Sequence, residues 1–262
     1  MKIVRSADNP RFKALRKLVQ SSHERRQTGL SVLDGPHLVA AYHDHVGIPD
    51  EVVVMDSGRG QDEIRALLTR LSVEPLVLAD ALFERLSSVV TPTGIIAVIR
   101  TPRPDPVPPR AGSCLMVENL QDPGNLGSIL RSAAAAGMTQ VLLSKHAVHA
   151  WSPRVLRAAM GAHFLLRIHE GVDLLAAARA YEGRVIATSQ RAPRTLYKED
   201  LRGDVALVLG NEGGGISDDL LAAAHAVVAI PMPGKTESLN VAAAAAVCLF
   251  ERVRQMAQAR PL

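Results

Sequence analysis

The chain is poor in the residues that mark specialised protein classes. It has two cysteines in 262 residues, Cys114 and Cys248, and both stand in apolar runs. That excludes a disulfide scaffold and predicts two buried free thiols, as suits a reducing cytoplasm. No apolar run approaches the ~20 residues of a bilayer-spanning helix, so no membrane association is expected. The opening stretch, MKIVRSADNPRFKALRKL, lacks an apolar h-region, and no secretory leader is expected from it. His37, His43, His45, His146, His149, His163 and His169 follow no ligand spacing, so no metal site is expected. There is no internal repeat, and no low-complexity segment beyond runs of alanine.

What is present is core-forming material and an uneven charge. Hydrophobic residues make up 47% of the chain, enough for one large domain or two smaller ones. The net charge is +4. Residues 1–30 hold Lys2, Arg5, Arg11, Lys13, Arg16, Lys17, Arg25 and Arg26 against only Asp8 and Glu24. A basic N-terminal arm on a near-neutral body is the footprint of a polyanion partner, although a solvated basic helix has the same composition.

The pattern of apolar residues divides the chain in two. Residues 10–20 read as a basic helix with Phe12, Leu15 and Leu18 on one face. Strands are expected at 51–55, 75–79 and 94–100, and helices at 62–71 and 80–89, giving a compact α/β unit over residues 1–100. Residues 101–112, TPRPDPVPPRAG, carry five prolines and read as an extended linker. From 113 to 262, continuous Val/Leu/Ile strands alternate with helices, including one at 152–162 and a long one from about 238 to 258. That pattern predicts a parallel sheet covered on both faces.

Three loops of the second half carry polar residues at expected strand ends. The first, ENLQDPGNLGSILR at 118–131, sets Asn125 at a helix start and Arg131 about a turn and a half further on. A single arginine among alanines and leucines needs a partner, unless it lies on an exposed face. The second, LVLGNEGGGIS at 207–217, places Glu212 among glycines that let a ligand approach the backbone closely. Its glycine order is not the dinucleotide fingerprint. The third, AIPMPGKTESLN at 229–240, fits a permissive phosphate-binding P-loop. Two points argue against a nucleoside triphosphate there. Pro231 and Pro233 have no N–H to offer a phosphate, and only 26 residues follow Thr236. A loop stiffened by two prolines suits a fixed wall around an adenosine-like ligand instead.

Taken together, NLQDPGNLGSILRSAAAAG (119–137), LVLGNEGGGIS (207–217) and IPMPGKTESLNVAAAAAV (230–247) resemble, in order and spacing, the three motifs of the SpoU/TrmH family of SPOUT-class RNA ribose 2′-O-methyltransferases. The likeness covers about 113–258 and includes SPRVLRAAMGAHF (152–164). FKALRKL and VLDGPHLVAA resemble the family's ribosomal-protein-L30e-like substrate-binding domain, with Asp34 where Glu is more usual and, in the intervening helix, Ala159 where Ser is common. The resemblance implies an α/β fold with a C-terminal parallel sheet and a deep trefoil knot, a homodimer, and S-adenosylmethionine as cofactor. By carry-over, Leu209, Gly210, Gly214, Ile230, Met232 and Leu239 would hold the cofactor. Arg131 would sit at the catalytic centre, with Asn125, Glu212, Ser238 and Asn240 orienting it and the ribose. Arg11, Lys13, Arg16, Lys17, Arg25 and Arg26 would contact RNA, ribosomal RNA being favoured over transfer RNA. The alternatives are a catalytically inactive RNA-binding homologue and a P-loop NTPase.

Overall fold

A computed structural model of the chain describes residues 3–87, 91–107 and 112–259. The chain forms two compact units, one of residues 1–102 and 151–164, the other of residues 103–150 and 165–262. Residues 151–164, expected inside the second domain, thus group with the first unit. Of the expected proline linker, residues 108–111 lie outside the described residues, as do the last residues of the helix expected at 80–89.

The first unit opens with β1 (Ile3–Val4), α1 (Pro10–Gln20), α2 (Ser22–Thr28), β2 (Leu30–Asp34) and α3 (Pro36–His45). Next come β3 (Glu51–Met55), α4 (Asp62–Leu71), β4 (Leu76–Leu78), α5 (Asp80–Glu84) and β5 (Ile95–Arg100). Helix α1 starts where Asn9 accepts hydrogen bonds from the N–H groups of Arg11 and Phe12, with Pro10 at the first helical position. Its apolar stripe of Phe12, Leu15 and Leu18 is buried against Val32, Phe83 and Ile96. Burying each such side chain contributes roughly 1.5–3 kcal/mol. The sheet runs β1-β4-β3-β5-β2, with β1, β4 and β3 mutually parallel and β5 antiparallel to both β3 and β2.

The second unit begins with β6 (Cys114–Val117), α6 (Pro123–Ala135) and β7 (Gln140–Ser144). The chain then returns to the first unit as α7 (Pro153–Ala159), which lies beside β2. It continues through β8 (Arg167–Val172), α8 (Leu174–Ala180), β9 (Arg184–Thr188), β10 (Arg194–Thr195) and β11 (Val205–Leu209). It ends with α9 (Asp218–Ala223), β12 (Ala226–Ala229) and α10 (Val241–Ala259). All seven strands are parallel, in the order β10-β12-β9-β11-β6-β7-β8. The central strands β6 and β11 are buried along their full length, as their unbroken apolar sequence requires. Helix α10 packs against α6. Both cysteines are free and fully buried, and burial pushes each thiol up to about 12. Among the described residues no helix is long and apolar enough to cross a membrane.

Candidate active site

Parallel strands bring all their C-terminal ends to one edge of the sheet, and there the three polar loops meet. β6 and β11 are paired neighbours, Val117 opposite Leu209, and β12 lies beyond β9 on the same side. Adjacent strands are ~4.8 Å apart, so the loops after β6, β11 and β12 leave the sheet within ~15 Å of one another.

The loop after β6 is fixed by its own polar side chains. Asn119 adopts a left-handed conformation (φ 53°), its N–H donating to Ser144 Oγ at 2.8 Å while that hydroxyl donates to Asn119 Oδ1 at 2.9 Å. Gln121 Nε2 donates to the carbonyls of Asn119 (2.9 Å) and His146 (2.6 Å). Asp122 caps α6 by accepting from the Asn125 N–H at 2.7 Å. The helix therefore starts at Pro123, so that Asn125 lies within its first turn.

The loop after β11 folds back on itself. Asn211 and Gly215 form an isolated antiparallel bridge, and Asn211 Oδ1 accepts from the N–H groups of Gly213 and Gly214. Gly210 permits this, because a Cβ there would run into the backbone of Gly215 and Ile216.

One side chain from each loop region joins a single hydrogen-bonded chain. Asn240 Nδ2 donates to Asn125 Oδ1 at 2.9 Å, and Asn125 Nδ2 donates to Glu212 Oε1 at 2.6 Å. Asn240 Oδ1 accepts from the N–H groups of Ala242 (2.9 Å) and Ala243 (3.3 Å) and so caps α10. Every bond in this relay is oriented, ending on the carboxylate of Glu212. Residues 125, 212 and 240 are remote in sequence, so the relay records how three chain segments converge.

The other expected site residues are placed differently. Leu209 is buried at the end of β11, Ile230 and Met232 are half-buried, and Leu239 is 39% exposed. Gly214 lies in the folded-back loop, and Ser238 is exposed. Arg131 is exposed on α6, on the stripe shared with Ser128 and Ala135. Among the described residues Arg131 has no hydrogen-bond or ion-pair partner, so the relay forms without it. Among the described residues no three His, Cys, Asp or Glu side chains cluster to hold a metal ion.

The basic arm also resolves into distinct roles. The expectation for Arg25 is corrected. Arg25 is only 5% exposed, and its Nη1 donates to the carbonyls of Leu18 (2.6 Å) and Val19 (3.0 Å) at the end of α1. Burial, then neighbouring Arg26, lowers its proton affinity from the ordinary arginine value. It caps the end of α1, and its burial leaves little of it to offer a phosphate. Arg11 pairs with Glu51 and Lys13 with Asp8, at 2.9 and 2.8 Å. Arg16, Lys17 and Arg26 have no ion-pair partner among the described residues.

Comparison with known proteins identifies the family. Residues 112–250 match the SpoU rRNA Methylase family, and residues 9–97 match the MRM3-like substrate binding domain. The chain belongs to the SpoU rRNA methylase family. It is similar to an uncharacterized tRNA/rRNA methyltransferase of Synechocystis, at 34% identity over 96% of this chain and 93% of that one. It is also similar to the 23S rRNA (guanosine(2553)-2′-O)-methyltransferase RlmP of Bacillus subtilis, at 31% identity over 95% and 98% of the two chains. The crystal structure of AviRb from Streptomyces viridochromogenes in complex with AdoMet has a TM-score of 0.84 and 26% identity, covering 96% of this chain and all of that one.

Proposed function

We propose that the protein is an S-adenosylmethionine-dependent RNA ribose 2′-O-methyltransferase acting on ribosomal RNA. The observation that carries this reading is the Asn240–Asn125–Glu212 relay, which ties the three motif segments together at the C-terminal edge of a parallel sheet. The cofactor fits the residues beside it. Ile230, Met232 and Leu239 offer apolar walls for an adenine ring, Leu209 and Gly210 supply backbone at the end of β11, and exposed Gly214 presents backbone without a side chain in the way. When bound, it supplies an electrophilic sulfonium methyl group.

The protein's part is to present a ribose 2′-hydroxyl in line with that methyl and to manage the proton the oxygen loses. Alignment is a positioning gain. The relay fixes the Glu212 carboxylate beside the cradle, with Oε2 left to accept from a ribose hydroxyl. Arg131 is permanently protonated and so serves as a clamp on the target phosphate and the developing alkoxide rather than as a base. Ser238 adds a hydroxyl from the third loop.

Three further properties belong to this proposal. The chain threads a trefoil knot, with α10 emerging past α6 after the 230–240 loop. Two copies associate through the α6–α10 face, where Phe250 is 49% exposed and Arg131 has no partner among the described residues. The enzyme works in the cytoplasm.

Transfer of labelled methyl from S-adenosylmethionine to unmodified ribosomal and transfer RNA tests the reading. Wild-type protein should label ribosomal RNA at a ribose 2′-oxygen, and Arg131→Ala and Asn125→Ala should each lose at least about a hundredfold in kcat. RNA binding without transfer would mean an inactive homologue, and thermal stabilisation by ATP would mean a P-loop.

A further inference from the structure

We infer that Glu118 is a positioning residue: its carboxylate latches the far end of the 210–217 loop at Ser217 and so sets the affinity for the methyl donor. This rests on the proposal that this loop holds S-adenosylmethionine.

Glu118 is the first residue after β6. Its N–H donates to the carbonyl of Leu209, the last residue of β11, at 2.9 Å. Its carboxylate accepts two bonds from Ser217, from the N–H to Oε2 and from the hydroxyl to Oε1, each at 2.7 Å. One residue therefore grips the chain just before the loop and just after it. Ser217 stands at the N-cap of α9, where a serine hydroxyl ordinarily accepts from its own helix. Here its side chain caps nothing in α9 and donates to Glu118 instead.

The latch matters because of what the loop contains. Gly210, Gly213, Gly214 and Gly215 lie between the two gripped points, and glycine loses more conformational freedom on ordering than any other residue. A ligand that must order such a loop binds more weakly than one that finds it ordered. The Asn211 turn fixes the tip, the backbone N–H of residue 118 holds the start, and the Glu118 carboxylate holds the end at Ser217. Glu118 has no bond to Asn125, Glu212 or Asn240 among those described, so it acts through the loop and not on the reacting atoms.

The test is calorimetric titration of S-adenosylmethionine, with steady-state kinetics on ribosomal RNA, for Glu118→Ala, Glu118→Gln, Ser217→Ala and the Glu118→Ala/Ser217→Ala pair. Glu118→Ala should raise Kd and KM for the donor about tenfold, and Ser217→Ala, which keeps the N–H bond, about threefold. The double variant should be no worse than Glu118→Ala, because both act on one interaction. Turnover at saturating donor and KM for RNA should stay within about twofold of wild type, a split that general destabilisation would not produce. Should Glu118→Ala fail to fold, Glu118→Gln and Ser217→Ala carry the same comparison. Unchanged donor affinity in the variants, or an additive double variant, overturns the latch and leaves the functional reading standing. Wild-type protein without donor affinity overturns that reading, and the latch with it.

Discussion

Charged side chains in this chain take their roles from their surroundings. Arg25 and Arg131 illustrate the two extremes. Arg25 is buried on α2 and satisfies carbonyls at the end of α1. Arg25→Ala should destabilise the protein by about 2–3 kcal/mol in urea denaturation, because charged hydrogen bonds are lost and helix-end carbonyls are orphaned. A variant of unchanged stability but weakened RNA binding would restore Arg25 to the RNA surface. Composition could not separate this arginine from its neighbours, since the bonds that bury it come from tertiary packing. Arg131 was singled out by its alanine-rich context and by its motif, and its side chain is free to meet a ligand. Glu199 gives a pH signature of its own. Burial pushes its carboxyl up, but hydrogen bonds from Arg194 and Arg184 outweigh that and hold it below the ordinary glutamate value. A carboxylate held low contributes stability above its unfolded value, near 4.5, and that contribution disappears as pH falls through the folded value. Wild-type stability should fall with acidification below about pH 4.5, and Glu199→Gln should flatten that fall in acid-unfolding curves.

At the level of elements, the site depends on loops whose geometry only some residues permit. Gly210 lies where the loop after β11 closes on itself, so Gly210→Ala must push Gly215 and Ile216 away. It should abolish measurable S-adenosylmethionine binding, whereas Gly60→Ala, with open space around it, should bind as wild type does in the same titration. Retained affinity in Gly210→Ala would mean the loop is not part of the cofactor site. The main elements were legible because their apolar periods are clean: EVVVM and VALVLG could only be buried strands, and DEIRALLTRL shows a helical stripe. Strand β8, RIHEGV, was missed because its polar residues break the apolar run. Helix α2, SHERRQT, was missed because it has no apolar stripe and is held by its Ser21 cap, Gly29 end and buried Arg25. The motifs named Asn125, Glu212 and Asn240, but not that they join in one relay. The latch role of Glu118 left no local signal, because its partner Ser217 lies far along the chain.

The whole molecule pairs a unit that carries a basic N-terminal arm with a parallel-sheet unit. Among the described residues, Arg16, Lys17 and Arg26 of the N-terminal arm have no ion-pair partner. Charge reversal at Arg16 and Lys17 should weaken RNA binding and lower the slope of log Kd against log salt by about 2–4, without changing donor affinity. RNA binding unaltered by those reversals would remove the arm from the account. That the chain crosses between units at 151–164 was not legible, since SPRVLRAAM reads as an ordinary amphipathic helix whichever body it joins.

The central claim is that three remote segments build one cleft for a sulfonium cofactor at the C-terminal edge of the parallel sheet. A crystal structure with S-adenosylmethionine bound tests it most directly. Adenosine should lie between residues 209–214 and 230–239, with the sulfonium methyl facing Glu212 and Arg131. Cofactor bound at the opposite edge of the sheet, or bound with that methyl turned away from Glu212, would contradict it.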